Sequence, residues 1–261
     1  PNQLGVYDDK LIPGLSQLVK AVHRHGTPIT VQINHAGGRT MSSITGAQPV
    51  GPSPVLLFRE TPRGLNVEEI DELVEAFGRA ARRTVEAGFD AVEVHGAHGF
   101  LLNQFLSPLT NKRGDEYGGS LEKRARFPLR VLERTRKEVG RDFPVLYRLG
   151  ADDFMDGGLS LEDTKVFAEM LAGAGVDAID VSGGIGGANP QGLRGQGYLF
   201  HLAEGIKKVV KVPVVGVGGV TEAEFADRAV REGRIDLVAV GRALLADSEW
   251  AVKAVETLER A

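Results

Sequence analysis

Two histidines three residues apart are the side chains whose spacing best suits chemistry. His95 and His98 directly follow Ala91–Val94, a mostly apolar segment that predicts a buried strand. At the carboxyl end of such a strand, two imidazoles can donate hydrogen bonds to one oxygen atom and so polarise a carbonyl group. The pattern alone fits two hydrogen-bonded loop histidines equally well. A metal pair is disfavoured, because no third ligand is evident nearby in the sequence.

Glycine and arginine end the last two strand-like segments. Gly218 and Gly219 follow one of them, and Gly241 and Arg242 follow the next. Glycines at strand ends let backbone N–H groups approach a phosphate closely, and an arginine adds positive charge. On its own, this pattern predicts a ligand that contains phosphate and nothing more specific.

Two polar side chains interrupt other apolar segments. Gln32 stands near the end of one segment and Arg148 within another. A buried amide needs hydrogen-bond partners, and a guanidinium inside a fold is costly unless an anion pairs with it. Either a bound ligand or an ion pair within the protein would therefore satisfy Arg148.

Strand-like and helix-like segments alternate along the chain and must position these residues. The predicted strands are Pro28–Ile33, Ala91–Val94, Val145–Leu149, Ala178–Val181, Val212–Val217 and Leu237–Val240. The predicted helices are Lys10–His25, Val67–Ala87, Leu121–Val139, Leu161–Ala174, His201–Val209, Glu222–Glu232 and Asp247–Leu258. Asn66 with Glu69 three residues later predicts a capped start for the second helix.

This alternation predicts a parallel sheet covered by helices. A doubly wound dinucleotide fold would show G-x-G-x-x-G after its first strand, whereas N-H-A-G-G stands at residues 34–38. We therefore predict an α/β fold of the (β/α)8 TIM-barrel type, formed by residues 1–261 as a single domain. Only six strands can be counted, so the first two are expected to be missing from this chain. The irregular stretch Gly37–Asn66 is long enough to predict a functional loop.

Composition excludes several classes of protein. The formal net charge is −4 with no basic stripe, which argues against a nucleic-acid partner. No apolar run approaches the length of a membrane span, and no signal peptide is evident, so a cytoplasmic location is expected. The chain has no cysteine, which excludes disulfides and cysteine-ligated clusters within it.

Three neighbouring motifs together resemble the Old Yellow Enzyme family, which includes ene-reductases and NADH:flavin oxidoreductases. They are H-G-A-H-G-F-L-L-N-Q-F-L-S-P from His95, N-K-R-G-D-E-Y-G-G-S from Asn111 and R-A-R-F from Arg124. The resemblance extends from about Gly5 to Trp250. It implies FMN bound on top of a barrel, NAD(P)H as reductant and a small-molecule substrate. It also allows a homo-oligomer, since members of the family often associate.

The resemblance also implies roles for individual residues. Gln32 matches the glutamine that hydrogen-bonds the flavin pyrimidine ring, and Arg148 matches the arginine near flavin N1 and O2. His95 and His98 match the pair that clamps the substrate carbonyl. The residues that match the FMN phosphate site are Gly218, Gly219, Gly241 and Arg242.

Two positions depart from the family pattern. Phe100 stands where the family usually has a tyrosine that protonates the substrate, and phenylalanine has no proton to give. Gly38 displaces Arg39 by one position from the family's His-x-Gly-Arg. The first departure weakens the assignment to activated alkenes and leaves quinones or other electron acceptors open.

The sequence therefore predicts an FMN-dependent oxidoreductase that takes hydride from NAD(P)H and reduces an activated alkene or a related electron acceptor. One alternative is a barrel lyase or aldolase that holds a phosphorylated substrate without flavin. The other is an incomplete barrel that binds no flavin and has no activity.

Overall fold

A single sheet of six parallel strands forms the centre of the molecule. The computed structural model describes residues 3–190 and 192–260. The strands of the sheet are β1 (Thr30–Ile33), β4 (Ala91–Gly96), β5 (Val145–Gly150), β6 (Ala178–Ser182), β7 (Val214–Val217) and β8 (Leu237–Ala239). They lie side by side in chain order, and every neighbouring pair is parallel. All six predicted strands are thus confirmed, with ends that differ by one or two residues.

Helices connect successive strands. The longer ones are α1 (Ile12–His23), α3 (Val67–Ala87), α5 (Leu121–Val139), α6 (Leu161–Gly173), α7 (Phe200–Lys207), α8 (Ala223–Arg231) and α10 (Trp250–Glu259). The short ones are α2 (Ser42–Thr45), α4 (Leu101–Leu106) and α9 (Arg242–Ala246), with a 3₁₀ turn at Asp9–Leu11. Asn66 caps α3 through a reciprocal capping box with Glu69, as predicted. Within the described residues, no helix is long and apolar enough to span a bilayer.

The two faces of each central strand have different roles. Val92 and Val94 of β4 and Tyr147 and Leu149 of β5 are fully buried and belong to the main core, together with apolar side chains of the surrounding helices. The residues between them point to the other face of the sheet because strand side chains alternate. That inner face carries the polar groups described below.

The sheet is open at β1 and β8 in the described part of the chain. The strand order ends at these two strands, and each has exposed residues that the central strands lack. Leu237 in β8, for example, is 54% exposed. The α/β class with a parallel sheet is therefore confirmed, and the sheet curls as part of a barrel does.

The long stretch between β1 and α3 is an ordered loop. It contains α2 and a parallel pair of short strands, β2 (Val50–Gly51) and β3 (Arg63–Gly64). Arg113 Nη1 donates hydrogen bonds to the carbonyl oxygens of Pro52 and Leu65. These bonds hold the loop against the segment that follows α4, on the side of the sheet where the strands end.

Candidate functional site

His95 and His98 lie together at the carboxyl end of β4. Their ring centroids are 5.1 Å apart in an edge-to-face arrangement. His95 is only 3% exposed, and His98 is partly buried. The Nε2 atom of His98 forms a 2.7 Å hydrogen bond with Ser182 Oγ at the end of β6. The pairing of two imidazoles predicted from the sequence is thus present.

The backbone at His98 adopts a conformation that side chains normally avoid. Its φ is 56°, and Gly99 follows with a φ of 71°. Left-handed backbone at a residue other than glycine costs roughly 1 kcal/mol. Here the backbone N–H of His98 donates to Gly183 O at 3.1 Å, which holds the strained turn in place. Such strain is typical of functional sites, and its effect is to direct the ring of His98 toward Ser182.

Both imidazoles are neutral at physiological pH. Burial, together with the positive charges of Arg148 and Arg39, lowers the pKa of His95 and of His98 to about 3, and His98 also contributes to the shift at His95. The Nδ1 atom of His95 is buried and has no hydrogen-bond partner among the described residues. A neutral imidazole donates from one nitrogen only, so the pair can offer hydrogen bonds to an uncharged oxygen without a buried positive charge.

A polar network lies on the inner face of the sheet beneath the histidines. Gln32 Nε2 on β1 donates to Glu93 Oε2 on β4 at 2.5 Å. Arg148 Nη1 on β5 pairs with Asp180 Oδ2 on β6 at 3.2 Å. Arg148 thus has the internal ion pair that the sequence left open as one alternative. Its Nε atom and Asp180 Oδ1 are nevertheless buried without partners among the described residues.

Two buried carboxyl groups share this network with one guanidinium. Burial and the charge of Asp180 raise the pKa of Glu93 to about 7. Burial also raises the pKa of Asp180, although the charge of Arg148 opposes that shift. Glu93 and Asp180 are the acceptors that orient Gln32 and Arg148, the two residues that the family resemblance places around the flavin ring.

A cavity of about 690 Å³ opens at the ends of β6, β7 and β8. Three arginines line it, Arg148, Arg194 and Arg242, and no carboxylate is among its described lining residues. Arg242 Nη2 lies 3.2 Å from the hydroxyl of Tyr198, whose ring it also contacts. Such a positively charged cavity suits a phosphate-bearing ligand.

Glycine geometry brings the backbone close to this cavity. Gly218 and Gly219 have φ values of 139° and 63°. A Cβ atom on Gly219 would lie 2.7 Å from Gly195 O, and one on Gly218 would lie 2.9 Å from Leu199 N. Gly241 immediately precedes α9 and is open to solvent. A side chain at either of the first two positions would therefore disturb the wall of the cavity.

The structure brings most of the predicted site residues together. Those that line the cavity are Arg148, Gly219, Gly241 and Arg242. Gly218 is adjacent but does not line it. Gln32 lies farther along the sheet, on β1, beside a groove of about 720 Å³ that also borders His35. Among the described residues, no group of three or more histidine, aspartate or glutamate side chains is placed to hold a metal ion.

Phe100 packs directly on the histidine pair. Its ring centroid is 4.8 Å from that of His95, and the side chain is partly buried. Because its ring has no acidic proton, it contributes shape at this position rather than proton transfer.

Sequence reasoning placed Ser182 on the same face without assigning its contacts, and it missed Glu93 and Asp180. Ser182 contacts His98, and Glu93 and Asp180 complete the inner network. A signal was available, because Glu93 and Asp180 are single acidic residues inside the strand segments A-V-E-V and A-I-D-V. A charge in a buried strand requires a partner, so these positions indicated interior ion pairs.

Known proteins of similar sequence and structure support the resemblance. The family described as NADH:flavin oxidoreductase / NADH oxidase matches residues 1–261. An NADH oxidase of Thermoanaerobacter brockii is 49% identical over 261 residues, which cover 97% of this chain and 40% of the relative.

Two solved structures share the fold. A 2-naphthoyl-CoA reductase in complex with 2-naphthoyl-CoA superposes with a TM-score of 0.93 at 32% identity, covering 98% of this chain and 42% of that one. An Old Yellow Enzyme homologue from Zymomonas mobilis superposes with a TM-score of 0.83 at 28% identity, covering 97% of this chain and 74% of that one. The chain thus spans about two fifths of the length of the NADH oxidase and of the reductase. With a family match over its whole length, this chain belongs to the NADH:flavin oxidoreductase / NADH oxidase family.

Proposed function

We propose that this chain is the FMN-binding part of an oxidoreductase that takes hydride from NAD(P)H and reduces an activated alkene of the enone or enoyl type, or a related electron acceptor. The observation that carries the proposal is the buried, neutral pair His95 and His98 at a strand end, next to an arginine-lined cavity. Similarity to an NADH oxidase and to a 2-naphthoyl-CoA reductase supports both the reductant and the class of substrate. The family uses flavin and a nicotinamide dinucleotide.

The proposal includes the finer points of the fold. Residues 1–261 form a single domain, and the six strands correspond to six of the eight in a (β/α)8 barrel, with the first two absent from this chain. The open edges at β1 and β8 support this arrangement, because two further strands would cover them.

The residues present fit FMN. The buried Nε atom of Arg148 has no protein partner among the described residues, and a flavin oxygen or ring nitrogen would satisfy it. The cavity wall with Gly219 and Gly241, next to Gly218, would let backbone groups approach a phosphate, and Arg242 supplies charge beside it. Gln32 would hold the polar edge of the ring, with its amide oriented by Glu93.

When bound, the flavin supplies two-electron chemistry between the nicotinamide and the second substrate. Arg148 holds a positive charge on the inner face and compensates negative charge that develops nearby. His95 and His98 donate hydrogen bonds to an oxygen of the substrate and stabilise charge on it. Ser182 and the strained backbone of His98 keep the second imidazole in position.

Because Phe100 has no acidic proton, solvent would supply the proton to a substrate carbon. The alternative is an electron acceptor that needs no proton on carbon. The contact of Phe100 with His95 places an apolar surface where the family usually has a hydroxyl group. Alkene reduction by this chain would therefore depend on water for the final proton.

The flavin-free lyase or aldolase is less well supported. Such an enzyme would need a Schiff-base lysine or a metal, and the described residues that line the cavity include no lysine. Family membership also favours the flavin enzyme.

Visible absorption tests the proposal directly. The protein is incubated with FMN, passed through gel filtration and examined for a retained flavin spectrum. Anaerobic NADH or NADPH should then bleach that spectrum, and an enone should restore it. Loss of all flavin on gel filtration would contradict the proposal and favour the flavin-free alternatives. Retained flavin that nicotinamides cannot reduce would contradict the assigned reductant.

A further inference from the structure

An arginine near the histidine pair has no anionic partner among the described residues. Arg39 follows β1 in the long loop, and its guanidinium carbon lies 5.8 Å from the ring centroid of Phe58 and 5.7 Å from that of Phe100. The side chain remains exposed to solvent, and partial burial alone lowers the pKa of its guanidinium. Most arginines of the described chain that are drawn into the fold pair with a carboxylate or a carbonyl group, as Arg113 and Arg136 do.

The backbone that carries Arg39 is held firmly. Gly37 and Gly38 form a tight turn, with Gly37 at a φ of 60°, and the N–H of Arg39 donates to Ala36 O at 3.0 Å. The buried amide of Gln104 accepts from the N–H of Gly38 at 3.0 Å and donates to Gly99 O at 2.7 Å. Gln104 thereby ties the turn before Arg39 to the turn after His98.

Glycine 99 allows Arg39 to approach the pair. A Cβ atom on Gly99 would lie 2.9 Å from Phe58 Cζ and 3.3 Å from Arg39 Nη1. The ring of Phe100 contacts both His95 and Arg39. The guanidinium is therefore part of the same pocket wall as the imidazoles.

The charges that shift the pKa values of both imidazoles are positive. Arg148 and Arg39 are the charged side chains that shift the pKa of both His95 and His98, and no carboxylate contributes. The charge of Arg148 is offset by Asp180, whereas no carboxylate in the described part of the chain offsets that of Arg39. Neutral imidazoles suit an uncharged carbonyl oxygen, so an anionic group of a ligand would find its counter-charge at Arg39.

We propose that Arg39 binds a carboxylate of the second substrate, so that the site prefers unsaturated carbonyl compounds bearing a free carboxylate over their neutral analogues. This inference rests on the proposed function, because it assumes that the histidine pair faces that substrate. Arg39 is then a specificity-determining residue: it contacts the carboxylate, while the imidazoles hold the carbonyl oxygen.

Monomethyl fumarate and dimethyl fumarate form a suitable pair of probes, since one methyl group removes the charge. Each is titrated into the FMN-loaded protein without reductant, and binding is followed by the flavin spectrum. The wild-type protein should bind the monoester more tightly, and added salt should reduce only that affinity. Arg39→Gln should weaken the monoester roughly ten- to hundredfold, the range for a hydrogen-bonded charged pair, and leave the diester unchanged.

Controls separate charge recognition from other effects. Arg141→Gln removes one positive charge from an exposed loop at the opposite end of β5 and should change neither affinity. Arg39→Lys keeps the charge and should retain part of the preference.

Three results would overturn the inference. They are no preference for the monoester in the wild-type protein, an equal loss of affinity for both esters in Arg39→Gln, and no binding of either ester. The first two leave the proposed function standing if flavin is retained and the diester binds. Failure of both esters to bind flavin-loaded protein would also contradict the proposed substrate site.

Discussion

The central strands β4, β5 and β6 differ sharply from the outer strands β1 and β8. Every residue of β4 and β6 is buried, whereas β1 and β8 each have a single buried residue or none. The central strands carry Glu93, Arg148 and Asp180, with His95 and Ser182 at their ends. Gln32 lies in the outer strand β1, and Arg242 follows the outer strand β8. Both side chains are exposed.

This difference shows where the protein itself determines the chemistry. At the centre, burial has already shifted the pKa of Glu93, His95 and His98 before any ligand binds. At the edges, Gln32 and Arg242 remain solvated, and their contribution depends on what is bound beside them. Variants of the central residues should therefore alter the protein even without a ligand, whereas variants of Arg242 should alter only ligand binding.

The largest effect is expected from Arg148→Gln. This change leaves Asp180 and Glu93 buried with no counter-charge, and breaking a buried ion pair costs about 3 kcal/mol of unfolding free energy. Arg148→Gln with Asp180→Asn should recover much of the loss, since both charges are then absent. Urea denaturation measures the unfolding free energy of the single and the double variant. Arg242→Gln is the outer-strand control, and its unfolding free energy should stay within about 0.5 kcal/mol of wild type. Equal losses of unfolding free energy in Arg148→Gln and Arg242→Gln would contradict the difference between central and outer strands.

The next effect concerns catalysis at the centre. His98→Ala removes one of the two donors to the substrate oxygen and should lower the rate of enone reduction roughly a hundredfold. The rate of flavin reduction by NADH should change much less, because the imidazole acts on the second substrate. Stopped-flow measurement of both half-reactions provides the test, and His201→Ala on the exposed side of α7 is the control. Unchanged enone reduction in His98→Ala would remove the imidazole clamp from the proposed function.

A pH effect distinguishes the buried carboxyl group. The folded state raises the pKa of Glu93 from 4.5 to about 7, so it binds a proton that the unfolded state releases in this window. The wild-type protein therefore loses stability as pH rises through that range. Glu93→Gln lacks this titration, and its stability relative to wild type should increase with pH by at most about 1.4 kcal/mol per unit, the limit for one proton.

Unfolding free energies at several pH values test this slope. Glu133→Gln, on the exposed side of α5, is the matched control and should run parallel to wild type. If the unfolding free energy of Glu93→Gln also ran parallel to that of wild type, Glu93 would be charged across this pH range in the folded protein. That result would contradict its burial beside Asp180.

The smallest effect belongs to the outer edge. Arg242→Gln should weaken FMN binding roughly fivefold, because an exposed charge contributes at most about 1 kcal/mol. The difference should shrink at high salt, since exposed charges are screened. Equilibrium titration with FMN at two ionic strengths measures it, with Arg231→Gln on α8 as control. If Arg242→Gln lost as much FMN affinity as Arg148→Gln does in the same titration, Arg242 would belong to the protein's preorganised groups.

Much of the fold could be predicted because its pattern is local. Apolar β-branched segments, a capping residue such as Asn66 and the spacing of strands and helices depend on neighbours in sequence. The short helix α4 was missed because its segment, L-L-N-Q-F-L, is only six residues long and is buried on every side, with Asn103 and Gln104 included. A helix without a solvent-facing polar side carries no periodic signal.

The candidate site was only partly predictable. Its glycines and histidines stand out as motifs, whereas the partner of each polar group comes from a distant part of the chain. Ser182 reaches His98 across 84 positions, and Glu93 reaches Gln32 across 61. Such pairs depend on the register of neighbouring strands, which is not readable from one segment.

The sequence by itself determined the parallel α/β architecture, the family and the identities of His95, His98 and Phe100. The tertiary structure decided the chemical state of those residues. Burial at the centre of the sheet makes both imidazoles neutral. The fold places a carboxyl pair beneath them and Arg39 beside them, with no anionic partner for Arg39 within residues 3–190 and 192–260. The reason is physical: a pKa depends on the solvent and charges within a few ångströms, and only folding brings those neighbours together.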